Sequence, residues 1–191
     1  MPDAVAGKVV SRRAIAAGLA VAPLAWPAAA AEAAPAEVRS ALPTARLIGA
    51  GQLRFIGFLV YDARLWAPQP PAEPASEPLA LELQYARTLQ GAQIAQRSLV
   101  EMRRIEPVSE SLAGRWLDAL RKLLPDVHAG DRLTGVQRPR RSTELFHNGQ
   151  TLGEVIDAEF TRLFFGIWLS PRTSEPALRA RLLGLADASR P

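Results

Sequence analysis

Between Arg46 and Trp66 the chain reads Arg-Leu-Ile-Gly-Ala-Gly-Gln-Leu-Arg-Phe-Ile-Gly-Phe-Leu-Val-Tyr-Asp-Ala-Arg-Leu-Trp, and no other segment limits the fold as strongly. Strand alternation puts Phe55, Gly57, Leu59, Tyr61, Ala63 and Leu65 on one face. Ile56, Phe58 and Val60 start the other face before Asp62 and Arg64 return it to water. A strand apolar on both faces for half its length must be covered twice, by protein on both sides or by protein on one and a ligand on the other. Arginines at 46 and 54, beside such a strand, point to an anion site.

The rest of the composition narrows the choices. A chain of 191 residues with 48% apolar and 22% charged content suits one domain with one sizeable core. Its formal charge of +4 is scattered among acids and not gathered with aromatics, which argues against a nucleic-acid partner. Cysteine is absent, excluding disulfides, thiolate catalysis and zinc-thiolate sites. Lys8, Arg12 and Arg13 precede a charge-free run from Ala14 to Ala31 that ends in small residues. Residues 1–33 therefore read as an export signal, and Ser11-Arg12-Arg13-Ala14-Ile15 resembles a twin-arginine motif. The expected location is periplasmic or exported, with no stable membrane span after cleavage, since Pro23 and Pro27 disfavour a lasting membrane helix. Residues 34–44 read as a tether and 45–186 as the folded domain.

Within the domain, Gly49 and Gly51 predict a tight turn or bulge before a long strand from Leu53 to Trp66. The proline-rich stretch 67–78 is an exposed loop, and Leu79, Leu81, Leu83 and Tyr85 form a strand with one face buried. Helical spacing takes over from Gly91 to Arg104, with Ala95, Leu99 and Met102 inward and Arg97 turned elsewhere. A second helix starts at Ser109 or Ser111 and stops at Pro125. Strands follow at Arg132–Arg138, Thr143–His147 and Gln150–Val155, the last two joined by Asn148-Gly149, read as turn chemistry alone. Asp157 caps a helix carrying Phe160, Leu163, Phe164, Ile167 and Trp168, and a last helix follows Pro176. Strands, two helices, strands, two helices is the grouping of an α+β fold in which helices cover one face of an antiparallel sheet.

Four motifs in order, Gly49-x-Gly51 with Val60-Tyr61-Asp62-Ala-Arg-Leu-Trp66, Pro125-Asp126-x-x-x-Gly130-Asp131, Phe146-x-Asn148-Gly149-x-x-x-Gly153, and Phe164-Phe165-x-Ile167-Trp168-Leu169, resemble the bacterial chalcone isomerase-like family. The resemblance implies an open-faced β-sandwich: a large antiparallel sheet, a helical layer on one face, and a ligand cleft between them. It also implies positions to inspect. The plant enzymes of this superfamily cyclise a chalcone with an arginine early in the sheet, a strand threonine, and a helix tyrosine and asparagine seven apart. Aligned on Gly91, the tyrosine falls at Ile94, the asparagine at Glu101 and the threonine near Ile56, so three of the four donors are replaced. The arginine is Arg46 or Arg54. Relatives in the superfamily that bind fatty acids use a cleft arginine for the carboxylate, which suits an apolar strand with arginines better than the isomerase does.

The candidate ligand-binding residues are thus Arg46, Arg54, Ile56, Tyr61, Ile94 and Glu101. Asp62 and Arg64 read as a solvated ion pair, and Glu101 as a solvated glutamate in preference to a general base. His128 and His147 have no carboxylate cluster at ligand spacing, so neither metal nor other cofactor is expected. The favoured reading is an exported protein binding a small hydrophobic anion, a fatty acid or aromatic acid. Alternatives are an isomerase or lyase of the chalcone isomerase type, and an envelope interaction module without a ligand.

Overall fold

A computed structural model of the chain describes residues 33–185. The expected export signal lies, all but its last residue, outside them. No helix among the described residues is long and apolar enough to cross a membrane.

Six strands run antiparallel in sequence order: β1 Arg46–Phe55, β2 Phe58–Ala67, β3 Leu79–Tyr85, β4 Arg132–Arg138, β5 Ser142–His147 and β6 Gln150–Val155. Helices α2 Gly91–Ile105, α3 Glu110–Leu123, α4 Ala158–Leu169 and α5 Pro176–Leu182 build the main core with one sheet face. Each helix reflects local chemistry. Ser109 caps α3, its hydroxyl accepting from the Leu112 amide, and Asp157 caps α4 through the amides of Glu159 and Phe160. No side chain of Gln90 caps α2; instead the Asp126 carboxylate accepts from the Gly91 amide at 2.8 Å. The fold is the expected α+β sandwich, a large antiparallel sheet with a helical layer.

The opposite sheet face is covered too. The stretch expected as a tether contains α1, Ala36–Ala41, whose Val38 packs with Leu42, Trp66, Ala80, Val136 and Phe146. This explains why β3 is buried on both faces and not on one, with Ala80 and Glu82 as inaccessible as their leucine neighbours. Under α1 lies a charged network. Glu37 accepts from the Thr134 hydroxyl at 2.8 Å and pairs with Arg132 at 3.3 Å. Glu82 accepts from the Trp66 indole at 2.8 Å and faces Arg64 and Arg132, each at 3.8 Å. Two buried carboxylates are tolerated there because cations and donors surround them; removing one partner would leave an uncompensated charge.

Two local expectations change. The strand expected from Leu53 to Trp66 is two strands, hinged at Ile56-Gly57, where φ is 50° and 80° and Phe55 faces Phe58. Apolar residues continue through this turn, so periodicity alone carries no mark of it. Asn148-Gly149 does form a two-residue turn, but Asn148 also donates to Asp131 at 2.9 Å and accepts from the Arg132 amide at 2.8 Å, pinning the hairpin to the start of β4. Asp131 accepts from Asn148 and from the His128 amide, which lowers its pKa to about 2.

At Gly49 the bulge, of the two expected alternatives, is what forms: the register shifts between Leu47 and Gly49 and β1 continues through it. The missing side chain of Gly49 matters because α5 ends there: a Cβ would stand 2.1 Å from the Arg181 carbonyl oxygen and 2.5 Å from that of Leu182. We predict that Gly49→Ala displaces α5 and lowers stability by roughly 1–3 kcal/mol in chemical denaturation, the usual range for overpacking. An unchanged midpoint would contradict this packing.

Candidate functional site

A cavity of ≈ 290 Å³ opens between the inner face of the sheet and the helices. Side chains from β1 to β5 line one wall, and α2 and α4 the other, with Ser174 and Glu175 closing a side before α5. The wall is overwhelmingly apolar. A core packed at ordinary protein density leaves few voids larger than a water molecule, so a volume of this size is a feature to be explained.

Two backbone devices shape it. The β1–β2 register shifts between Leu53 and Arg54: Leu53 faces Tyr61 and Arg54 faces Leu59, leaving Val60 as the extra residue of a bulge. Val60 and Tyr61, consecutive in sequence, therefore both line the cavity. On the other wall, Ile94, Arg97, Ser98 and Glu101 recur at the i, i+3, i+4, i+7 spacing of one helix face, and all four line the cavity.

Polar groups are few and specific. The Trp168 indole donates to the Tyr61 hydroxyl at 2.9 Å, joining α4 to β2 across the apolar layer. Tyr85, opposite Tyr61 in the ladder, meets it edge to face with ring centroids 5.7 Å apart. Its hydroxyl has no hydrogen-bond partner among the described residues. Burial raises the pKa of both phenols, so both stay neutral donors at physiological pH. The Ser98 hydroxyl is committed to the Ile94 carbonyl at 2.9 Å. Glu101, 4% exposed, lies between Arg97 at 2.7 Å and Arg104 at 3.2 Å. The expectation of a solvated glutamate is corrected: Glu101 is a buried carboxylate held by two cations.

Of the residues singled out from sequence, Tyr61, Ile94 and Glu101 come together at the cavity. Arg46, Arg54 and Ile56 do not. Arg46 is exposed at the far end of β1, opposite Ala67. Arg54 lies over the hairpin turn, donating to the Gly57 carbonyl at 3.2 Å and to Gln52 at 3.1 Å. Ile56 is at the hairpin tip, 79% exposed. Asp62 is not paired with Arg64 as expected; it accepts from Gln52 at 2.9 Å, while Arg64 faces Glu82 on the outer side of the sheet.

Among the described residues the cation that lines the cavity is Arg97, expected to turn elsewhere than the apolar face of its helix. Its signal was present as the second apolar-to-polar row of α2, one step around the helix from Ala95, Leu99 and Met102. Tyr85 and Trp168 belong to the buried core and also form part of the cavity wall. Arg97 and Gln93 are exposed, while Leu53, Val60, Ile94 and Glu175 are half-buried, so this group marks the mouth. Chemically, the site can enclose an apolar body and offer neutral phenol donors inside and a guanidinium at the rim. No group of His, Asp and Glu side chains suited to a metal occurs among the described residues.

Residues 30–184 match the family described as chalcone isomerase-like. An uncharacterised protein of Haemophilus influenzae is 27% identical over 137 residues, 72% of this chain and 67% of its own. Among solved structures, a fatty-acid binding protein of Arabidopsis thaliana superposes with a TM-score of 0.59 at 14% identity, over 73% of this chain and 87% of that one. At that identity the likeness speaks for the fold alone.

The two aromatic hydroxyl arrangements predict opposite mutational outcomes. Trp168→Phe strips Tyr61 of its donor and enlarges the void, and should cost roughly 1–3 kcal/mol in thermal or chemical denaturation. Tyr85→Phe removes a hydroxyl without a protein partner and should be close to neutral. Equal losses would show that the Tyr85 hydroxyl has a structural role.

Proposed function

The chain belongs to the chalcone isomerase-like family, and on that premise we propose that it is an exported binding protein that holds a small hydrophobic anion, a fatty acid or an aromatic acid, between sheet and helices. The observation that carries the reading is the open apolar cavity with one guanidinium at its mouth. Its volume lies near the lower end of the roughly 300–1,000 Å³ of small-molecule sites, which suits a single small occupant. An interaction module with a filled interior has no use for such a void, so the volume favours binding.

The apolar body of the ligand lies along Leu81, Leu83, Leu133, Leu145 and Phe165, gaining from water release. Its acid group is held at the rim by Arg97. Glu101 neutralises Arg97 in the empty site, and Arg104 on its other side keeps the cluster cationic overall. A ligand carboxylate thus exchanges one charge-assisted pair for another, with Arg104 still compensating Glu101. Tyr85 supplies a neutral donor to a ligand oxygen lying deeper. Export is supported by the basic, then small and apolar, N-terminal sequence.

Native mass spectrometry of the protein recovered from the cell envelope tests both parts. The account expects a polypeptide shortened by about 33 residues and carrying an amphiphilic acid. A thermal-shift panel of fatty and aromatic acids should give stabilisation by mass action. Arg97→Ala should weaken acids by about 1.5–3 kcal/mol, the value of a hydrogen bond to a charged group, and leave the matching alcohols unchanged; Arg104→Ala, outside the cavity lining, should do less. Empty spectra together with a silent panel would overturn the reading.

A further inference from the structure

The hairpin between β1 and β2 carries Phe55, Ile56 and Phe58 at its tip, 63%, 79% and 67% exposed. The other large exposed apolar side chains among the described residues, Val100, Ile156 and Leu185, stand singly on different parts of the chain. A cluster of three at one two-residue turn calls for an occupant.

The same chain supplies a control for this turn. The β5–β6 hairpin has Asn148 and Gly149 at φ 50° and 83°; the β1–β2 hairpin has Ile56 and Gly57 at φ 50° and 80°. Both loops are two residues long, closed by His147 opposite Gln150 and by Phe55 opposite Phe58. Asparagine is what such a left-handed position favours, whereas a β-branched residue there is strained. Ile56 therefore strains the backbone and exposes an apolar side chain in a place where Asn serves folding better. A strained, exposed apolar residue of this kind points to a use outside the fold.

We infer that this tip is a docking element for an anionic lipid surface, inserting Phe55, Ile56 and Phe58 among the acyl chains while Arg54 meets the headgroups. Three features favour lipid over a protein partner. The tip is a two-residue turn whose three large apolar side chains are each more than half exposed, a small footprint suited to entering a fluid layer and ill suited to closing a broad rigid interface. A guanidinium stands directly beside the apolar residues, anchored over the turn by the Gly57 carbonyl. The tip is also continuous with the cavity mouth: Leu53 and Val60, two residues from Phe55 and Phe58, line the cavity, and Arg97 stands at the same mouth. Seated this way, the mouth opens against the layer from which an amphiphilic acid would come or to which it would return. Docking stands without the cavity's occupancy; the link between the two rests on the proposed function.

The test is co-sedimentation of the full-length chain with vesicles of phosphatidylglycerol and phosphatidylcholine, and of phosphatidylcholine alone, beside the double variant Ile56→Asn/Phe58→Ser. Residues 1–32 are common to both proteins, so the difference reads the tip. The wild type should bind the acidic vesicles, less so at high salt, and the variant should lose about tenfold or more in partitioning. Ile56→Asn alone should raise the melting temperature while weakening binding, which separates docking from folding. Failure of the wild type to bind acidic vesicles, or equal binding by the variant, would overturn the inference. So would a wild-type dimer dispersed by the variant, because the tip's partner would then be a second copy. An empty cavity with tip-dependent vesicle binding would sink the proposed function and leave docking intact; a loaded cavity without vesicle binding would do the reverse.

Discussion

A sheet whose central strands are buried on both faces must be covered twice, and the two coverings here are unequal, one partly charged and the other apolar. On the outer face, among the described residues, α1 and its flanking Ala34 and Leu42 lie against Trp66 and Phe146, and the two carboxylates beneath are compensated by Arg132, Arg64, Thr134 and the Trp66 indole. On the inner face four helices contribute, and they do not close the space. Aromatic rings stand between the layers: Phe160 stacks on Phe164, which meets Phe165 and Trp168 edge on, while Tyr61 and Tyr85 rise from the sheet. Rings packed against rings are rigid spacers. The bond from Trp168 to Tyr61 fixes the spacing, and the cavity is what remains.

Much of this was legible in the sequence, because strands and capped helices declare themselves through period and local chemistry. Asp157, Ser109 and Asn148-Gly149 each mark an element boundary that the structure places where the residues imply. What escaped did so for physical reasons. Ile56 occupies a turn position that its type disfavours, which leaves Gly57 as the one turn residue in an otherwise apolar run. α1 is too short to show a helical period, and the face it covers looked solvated because Glu82 and Arg64 are charged. Arg97 escaped because α2 has two buried rows, one against helices and one against the cavity, and only the first is purely apolar.

The residues that make the family recognisable are mostly structural. Asp126 caps α2 at a distance, Asp131 and Asn148 lock a hairpin, Trp66 and Phe146 hold the outer layer, and Phe164, Phe165 and Trp168 space the inner one. Such motifs preserve a sandwich with a gap in it and leave the contents of the gap to other positions. Here the positions aligned with the plant enzyme's helix donors are Ile94 and Glu101, one apolar and the other tied to two arginines.

Under the proposed function the space between sheet and helices is a site for an amphiphilic acid. The most direct measurement is the anomalous signal from crystals soaked in a dodecanoic acid brominated at its far end. The account predicts bromine inside the cavity, against the leucines of β3 to β5, with the carboxylate at Arg97. Bromine confined to the protein surface, with side chains closing the cavity, would contradict it.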